Sequence, residues 1–475
     1  MLTEHIQNQL KNIIRLFYPN AEIKTTMLDR VVVFETEGRK IKCDYFVKNI
    51  CADMYKYLCK ITGKSMPWGS LTGIRPTRLV YKEMLLLQEA ERRNNQETAN
   101  IPVTECLAAS LVKVKEKYFV SNKKIKLLKE VIAAQRGYIT GGEKLVNYYV
   151  NIPICPSRCN YCSFPSAMIE KCKDIFDDYV MQLCEEIKRD GERLRNGGYK
   201  IYSIYIGGGT PTVLNEAQLE KVLRAIVRAS CCEGYVPVTK HLLAKSIEFT
   251  CEAGRPDTIT AQKLDLLKKY GVTRICINPQ SFNNATLKAI GRNHTTEDFL
   301  NVYHLAGQYN FIINTDLIAG IAGESVNDFE YSLEKVIELS PHNITVHTLS
   351  NKRGSLSACS AAEPSFNCNV TAMVNLAYQK LTAAGYIPYY LYRQKAQKGA
   401  LENVGYCKPS FQCLNNISVM EEMVSVLASG AGAISKKICT GDNCDIIRYA
   451  NCKEIDMYIT EFEARYKAKS DLFFD

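Results

Sequence analysis

Three thiols fall within eight residues in the run Tyr149-Val150-Asn151-Ile152-Pro153-Ile154-Cys155-Pro156-Ser157-Arg158-Cys159-Asn160-Tyr161-Cys162. Cys155, Cys159 and Cys162 have the chemistry to bind metal, because thiolates are ligands of zinc and of iron–sulfur clusters. A closed structural zinc site wants four ligands, and no second Cys-x2-Cys pair lies at zinc-ribbon spacing. A disulfide with a spare thiol does not suit a reducing compartment. Three thiolates on a four-iron cluster leave one iron open to a small molecule, which is a catalytic arrangement. Zinc and plain packing are the competing readings. A second candidate is Ile204-Tyr205-Ile206-Gly207-Gly208-Gly209-Thr210-Pro211-Thr212, where glycines after an apolar run let backbone approach a ligand. Alone, such a run is more often a tight turn.

The spacing Cys-x3-Cys-x2-Cys, with Tyr161 before the last cysteine, resembles the signature of radical S-adenosylmethionine enzymes. The resemblance implies a [4Fe-4S] cluster on Cys155, Cys159 and Cys162, with S-adenosyl-L-methionine chelated at the open iron and cleaved to a 5′-deoxyadenosyl radical. Tyr161 then belongs to the cofactor site. Gly207, Gly208, Gly209 and Thr210 resemble the superfamily's glycine motif, which binds the aminoacyl part of the cofactor. Glu252, in Phe249-Thr250-Cys251-Glu252-Ala253, resembles a carboxylate that contacts the cofactor. Gln280, in Ile277-Asn278-Pro279-Gln280, resembles a polar contact to the adenosine part. Arg292, in Gly291-Arg292-Asn293-His294, resembles a basic residue near the cofactor carboxylate, and Asp316 another site-facing carboxylate. Taken singly, each reads as an ordinary surface or capping residue; their order along the chain gives them meaning.

Further segments resemble the oxygen-independent coproporphyrinogen III oxidase family, and within it the HemZ-type coproporphyrinogen dehydrogenases. They are Pro67-Trp68-Gly69-x-Leu71-Thr72-Gly73-x-Arg75-Pro76-Thr77, Thr345-Val346-His347-Thr348-Leu349, the tract from Tyr389 to Lys395, and Leu401-Glu402-Asn403-Val404-Gly405-Tyr406, with Met420-Glu421-Glu422 later. The turn after Asp316 departs from the pattern, reading Gly320-Ile321-Ala322-Gly323 with alanine at the proline. This resemblance implies a radical oxidative decarboxylation of two propionates of coproporphyrinogen III to vinyls. It implies a tetrapyrrole substrate and unidentified electron donor and acceptor proteins of the flavodoxin or ferredoxin kind. Arg393 and Lys395 are candidates, by position only, to hold propionates. Related haem chaperones keep the cysteine triad but carry a C-terminal histidine-asparagine-x-x-tyrosine-tryptophan motif where this chain reads Asn415-Asn416-Ile417-Ser418-Val419-Met420. A haem-binding role, or a radical enzyme on another substrate such as RNA, are the alternatives. His347 is open to two readings, a hydrogen-bonded core histidine or a site residue. Cys407, Cys413, Cys439 and Cys444 match no ferredoxin spacing and read as single structural thiols.

To position these residues the chain offers alternating elements. Candidate strands are Leu145–Ile152, Ile201–Ile206, Ser246–Thr250, Thr273–Ile277, Ile312–Ile318 and Asn343–Leu349, separated by helical periods. Phe176, Val180, Leu183, Ile187 and Leu194 recur at helical steps, and Asn215 with Gln218 reads as a capping box. Six strands alternating with helices predict an α/β fold, a partial (β/α)6 barrel whose functional loops follow the strand C-termini. Residues 1–140 read as an N-terminal α+β accessory domain. It holds an amphipathic opening helix (Leu10, Ile13, Ile14), short strands at Ala21–Thr25, Val31–Thr36 and Ile41–Val47, and Trp68 as packing. The pair Gly141-Gly142 marks a linker, residues 141–355 the barrel, and residues 356–475 a mainly helical, substrate-side region.

Composition is ordinary for a soluble globular chain. The chain has 475 residues, 46% hydrophobic and 23% charged, which excludes collagen-like, coiled-coil and largely disordered proteins. A net charge of +10, spread without a basic block, favours anionic partners in general and carries no recognised nucleic-acid module. Twenty cysteines, mostly scattered singly, together with the lack of a secretory start and of any 18-residue apolar run, point to a reducing cytoplasm and no membrane span.

Overall fold

Helix α1 (Glu4–Phe17) lays Leu10, Ile13, Ile14 and Phe17 on one face, as its 3- and 4-residue steps require. They pack with Val32, Phe34, Met54 and Leu58 in a small core. That core belongs to the antiparallel sheet β1 (Thr25–Leu28), β2 (Val31–Thr36), β3 (Arg39–Asp44) and to helix α2 (Ile50–Thr62). The structure is a computed structural model that describes residues 4–18, 25–28, 31–36, 39–44, 50–94, 102–138, 142, 144–164, 166–230, 247–350, 368–394, 398–439 and 446–474. Residues 21–24 and 45–47 of two expected strands, Gly141 of the expected linker, Ser246, Lys395 and Cys444 lie outside the described residues.

Helices α3 (Pro76–Asn94), α4 (Val103–Tyr118) and α5 (Asn122–Gln135) follow. Trp68, expected to pack in the small N-terminal unit, instead joins the large core together with Leu71, Val80, Leu111 and Leu128. The reason is polar as well as apolar: its indole Nε1 donates to Glu402 Oε2 at 2.7 Å, far along the chain.

The large core is an eleven-stranded sheet. Its first half runs β4 (Leu145–Ile152), a two-residue pair β5 (Ile154–Cys155) and β6 (Ala167–Met168), α6 (Phe176–Asn196), β7 (Lys200–Gly208), α7 (Glu216–Ser230), β8 (Glu248–Cys251), α8 (Ala261–Lys269), β9 (Arg274–Cys276), α9 (Asn284–Ala289), α10 (Thr296–Gly307), β10 (Ile312–Ala319), α11 (Val326–Leu339) and β11 (Asn343–Thr348). All six expected strands are present, in the spatial order β4, β7, β8, β9, β10, β11, and each pairs parallel with the next. Strand β4 is buried on both faces, as a parallel strand covered by helices must be. Helix α6 buries Phe176, Val180, Leu183, Ile187 and Leu194, the residues whose spacing predicts it. The predicted capping box opens α7: Gln218 N donates to Asn215 Oδ1 at 2.9 Å, and Asn215 N to Gln218 Oε1 at 3.1 Å. The result is the expected α/β partial barrel.

The C-terminal part is expected to be mainly helical; its described residues also carry five strands. Helix α12 (Cys368–Ala383), β12 (Ile387–Tyr392), β13 (Asn403–Cys407), α13 (Leu414–Glu421), β14 (Ser425–Ser429), β15 (Ile434–Ile438), β16 (Ile446–Ala450), α14 (Ile455–Thr460) and α15 (Phe462–Phe474) complete the chain. Strands β13 and β12 extend the sheet antiparallel beyond β11. Strand β14 pairs parallel with β4 at the other end, and β15 and β16 continue from it. These strands are short and appended at two distant edges, so no regular β/α alternation betrays them.

Candidate functional site

The cysteine loop begins where β4 ends, at the C-terminal edge of the parallel strands, the usual place for loops that do chemistry. It is held from three directions. Cys162 N donates to Cys159 O at 3.1 Å, Asn160 N to Ile290 O at 3.0 Å, and Asn160 Nδ2 to Ala289 O at 2.8 Å. The glycine run after β7 binds the start of the same loop, with Gly209 N donating to Ile152 O at 2.7 Å and Thr210 N to Ile154 O at 2.9 Å. Only glycine suits two of these positions. Gly208 has φ +112, and a Cβ on Gly209 would lie 2.4 Å from Ile154 O.

Above these loops the structure encloses a cavity of about 400 Å³, ordinary for a small-molecule site. Cys155, Cys159, Cys162, Tyr161, Gly208, Gly209, Thr210, Glu252, Gln280, Arg292 and Asp316 all line it. Of the residues expected at the cofactor site, Gly207 alone is absent from this lining; it stays within β7, where a Cβ would meet Tyr205 and Tyr149.

Each polar group has a local cause. Glu252 follows β8 and accepts from Tyr205 OH at 2.5 Å. Burial pushes the Glu252 carboxyl up to about 7; the Tyr205 hydrogen bond opposes this, Asp316 adds to it and His347 pulls back. Arg292, 8% exposed, donates to Gly254 O and to Tyr161 OH, each at 2.9 Å. Gln280 adopts the left-handed φ +66 that a non-glycine residue takes only under constraint. Its backbone bridges to β10, with Gln280 N donating to Asp316 O and Ile318 N to Gln280 O. Asp316 Oδ2 lies 3.4 Å from His347 Nε2, and His347 Nδ1 lies 3.4 Å from Tyr392 OH. His347 is therefore a cavity residue.

Several cavity residues escaped the sequence reading. Arg255, 3% exposed, reaches Cys159 Sγ at 3.6 Å and Ser157 Oγ at 3.0 Å, and is gripped by Asp257. Tyr149, Tyr205, Asn278 and Asn314 also face the cavity, as do Tyr390 and Tyr392 from β12. The period of two was the available signal: Asn314 and Asp316 share one face of β10, and Tyr390 and Tyr392 one face of β12. That period also corrects a guess. Arg393, proposed as a propionate holder, faces away from the cavity. Its guanidinium is spent on the backbone oxygens of Leu71, Ala400 and Leu401, and it lies over the Trp68 ring.

The donor set fits the cofactors that the cysteine pattern implies. Among the described residues, no group of three or more His, Cys, Asp or Glu side chains gathers around a single metal ion. A four-iron cluster takes each thiolate on a different iron and does not need that convergence. Burial pushes the Cys155 and Cys162 thiols up, so metal must displace their protons. Asn278 Oδ1, Gln280 Oε1 and Arg292 Nε are buried in or beside the cavity without a hydrogen-bond partner. Unmet polar atoms of this kind are costly, and a bound polar ligand would satisfy them.

Comparison with known proteins points the same way. Residues 149–336 match the model of the radical SAM superfamily. The oxygen-independent coproporphyrinogen-III oxidase-like protein HemZ of Bacillus subtilis is 37% identical over 431 residues, 88% of this chain and 79% of that protein. The heme chaperone HemW of Haemophilus influenzae is 28% identical over 66% of this chain and 76% of its own length. Among solved structures, the coproporphyrinogen III oxidase HemN from Escherichia coli, a radical SAM enzyme, shares the fold. Its TM-score is 0.54 at 20% identity, covering 72% of this chain and 78% of that one.

Proposed function

The chain belongs to the radical SAM superfamily and, within it, to the oxygen-independent coproporphyrinogen-III oxidase-like proteins, and on that footing we propose that it is a coproporphyrinogen III dehydrogenase. Its cofactors are those of the superfamily, a [4Fe-4S] cluster and S-adenosyl-L-methionine. Together they supply, when bound, a 5′-deoxyadenosyl radical that takes one hydrogen atom from a substrate carbon.

In this reading Cys155, Cys159 and Cys162 hold the cluster. Tyr161, Gly208, Gly209, Thr210, Glu252, Gln280, Arg292 and Asp316 hold S-adenosyl-L-methionine, with Gly207 behind them in β7. Arg292 would meet its carboxylate with a charge-assisted pair, and the unpartnered Gln280 Oε1 would accept from its base or sugar. The substrate then lies toward β11, β12 and β13. The protein's tasks are to exclude water, hold a propionate chain near the cofactor and let no radical escape. The balance per propionate is one hydrogen atom to the radical, one carbon dioxide released and one electron passed to an external acceptor of the ferredoxin or flavodoxin class. A vinyl group remains, and two such rounds convert coproporphyrinogen III to protoporphyrinogen IX.

The observation that carries the proposal is the meeting, in one cavity, of the cysteine loop with residues from six successive strands or the loops after them, in a chain 37% identical to a coproporphyrinogen-III oxidase-like protein. Anaerobic incubation with coproporphyrinogen III, S-adenosyl-L-methionine and a reductant should yield mono- and divinyl products by mass spectrometry. Nucleoside release without any vinyl product would refute it. The similarity to heme chaperones supports a second reading, haem binding. Asn415 stands where those chaperones carry histidine, and asparagine is no axial haem ligand. Haem titration should give no stoichiometric Soret band; a stable one would move the assignment to a chaperone.

A further inference from the structure

Four basic side chains gather outside the cavity, where the first turn of α3 meets β15 and β16. Arg75 immediately precedes α3, and Arg78 is the third residue of that helix. Lys436 and Arg448 stand directly opposite each other on the antiparallel pair β15 and β16. Residues so paired point to the same face of the sheet, and like charges placed that way repel. None of the four lines the cavity that carries the cysteines.

One buried carboxylate holds the group together. Glu422, which closes α13, takes Arg75 Nη1 at 2.6 Å, Arg448 Nη2 at 3.4 Å and also Arg78 Nη1. Its neighbour Glu421 is turned elsewhere: Oε1 accepts from Thr77 Oγ1 at 2.8 Å and from Gln135 Nε2 at 3.0 Å. Three guanidinium groups thus share the single charge of Glu422, and the surplus is felt at Lys436. Burial, then Arg75 and Arg448, push its ammonium down to about 8. The side chain is still charged at pH 7, in surroundings that disfavour that charge. The group is open to solvent on one side, the Arg448 side chain being 52% and the Arg78 side chain 41% exposed.

An anion of higher charge than a carboxylate, with several oxygens, suits such a group. Ammonium serves it as a point charge and guanidinium as a planar fork. We propose that Lys436, Arg448 and Arg75 form a second ligand site of this protein, for a phosphate dianion, either free or carried on a small sugar phosphate. The site is independent of the coproporphyrinogen reading and stands whatever the radical acts on.

The test is calorimetric titration of the anaerobic, cluster-loaded full chain with sodium phosphate, ionic strength being held constant with sodium chloride. The parent should take up one phosphate per chain, and its Tm should rise with phosphate, as it does for any ligand of the folded state. Lys436→Gln and Arg448→Gln should each weaken uptake about tenfold, the scale of one charge-assisted hydrogen bond. Without phosphate, Lys436→Gln should melt no lower than the parent, because it removes a repulsion. Arg448→Lys keeps the charge, loses the fork and should retain part of the affinity. Ribose 5-phosphate, titrated beside ribose, identifies the source. Tighter binding than phosphate assigns a sugar phosphate, and equal or weaker binding assigns the free ion; both keep the site. A parent that shows no saturable uptake at constant ionic strength overturns it, and so does parent-like uptake in either Gln variant.

Discussion

Arg255 is the residue closest to the chemistry that the cysteine pattern does not announce. It brings a buried guanidinium to Cys159 Sγ while Asp257 and Ser157 fix its plane. Groups that hydrogen-bond a ligating sulfur tune a cluster and hold its ligand in place. Arg255→Met should leave all three thiolates able to bind iron, yet lower nucleoside release about 10–100-fold. It should also shift the cluster midpoint potential negative, read by redox titration with EPR. His294 is a second case. Both ring nitrogens are buried without a partner, and burial, aided by Arg292, holds its pKa down near 4. The fold thus favours the neutral ring, while the unfolded chain protonates it near 6.5. Between those values the unfolded state binds the extra proton, so stability should fall as pH drops from about 6.5 towards 4. The loss should be about 3 kcal/mol, and His294→Gln should flatten that slope in denaturant titrations.

At the scale of elements, the glycine run and the cysteine loop act as one unit. The backbone of Gly209 and Thr210 hydrogen-bonds Ile152 and Ile154, the residues leading into Cys155. Gly209→Ala would thrust a methyl against Ile154 O and push the loop away. Iron and labile sulfide content should drop at least severalfold on reconstitution, while far-UV circular dichroism stays near the parent's. Elements of this sort were legible beforehand. Segments rich in apolar residues marked β4 and β10, and a 3–4 spacing marked α6, because both patterns are imposed by burial along a single segment. The side chains that line the cavity were legible only where a family pattern pointed to them. Tyr390 and Tyr392 look like ordinary strand aromatics until β12 is known to lie antiparallel beside β13, and that pairing joins segments with no local signal. Arg393 misled for the same reason: its neighbours in sequence face the cavity and it does not.

Across the whole molecule, distant segments close the sheet through buried polar networks. Lys469 of α15, fully buried, pairs with Glu186 and Asp190 of α6 at 2.6 and 2.8 Å. Asp190 also accepts from Ser429, and Glu186 from Gly430 N, so the network holds the end of β14. Lys469→Met would strand two carboxylates in the interior, and the penalty should be about 3–5 kcal/mol by chemical denaturation. The N-terminal segment connects to both ends of the sheet, beside β13 and ahead of β14. Trp68 and Lys124 converge on Glu402, and Arg75 and Thr77 on Glu422 and Glu421. Glu402 O in turn accepts from Thr348, and Asn403 Oδ1 from Thr348 N, one residue from His347. The sequence pattern around Trp68 thus has a structural use, a brace for the cavity wall that carries Thr348 and Asn403.

The pairing of β4 with β14 has a consequence for synthesis on the ribosome. Strand β4 is finished at Ile152, but its outer neighbour begins only at Ser425, about 270 residues later. At about 5–20 residues per second, the nascent chain spends roughly 15–55 s with that flank of β4 bare. Through that interval the thiol loop hangs from a strand lacking one partner, a geometry that invites pairing with other chains. Delivery of iron to the newborn polypeptide is therefore best timed after β14 has emerged, and chains that stall before Ser425 should be found in inclusion bodies.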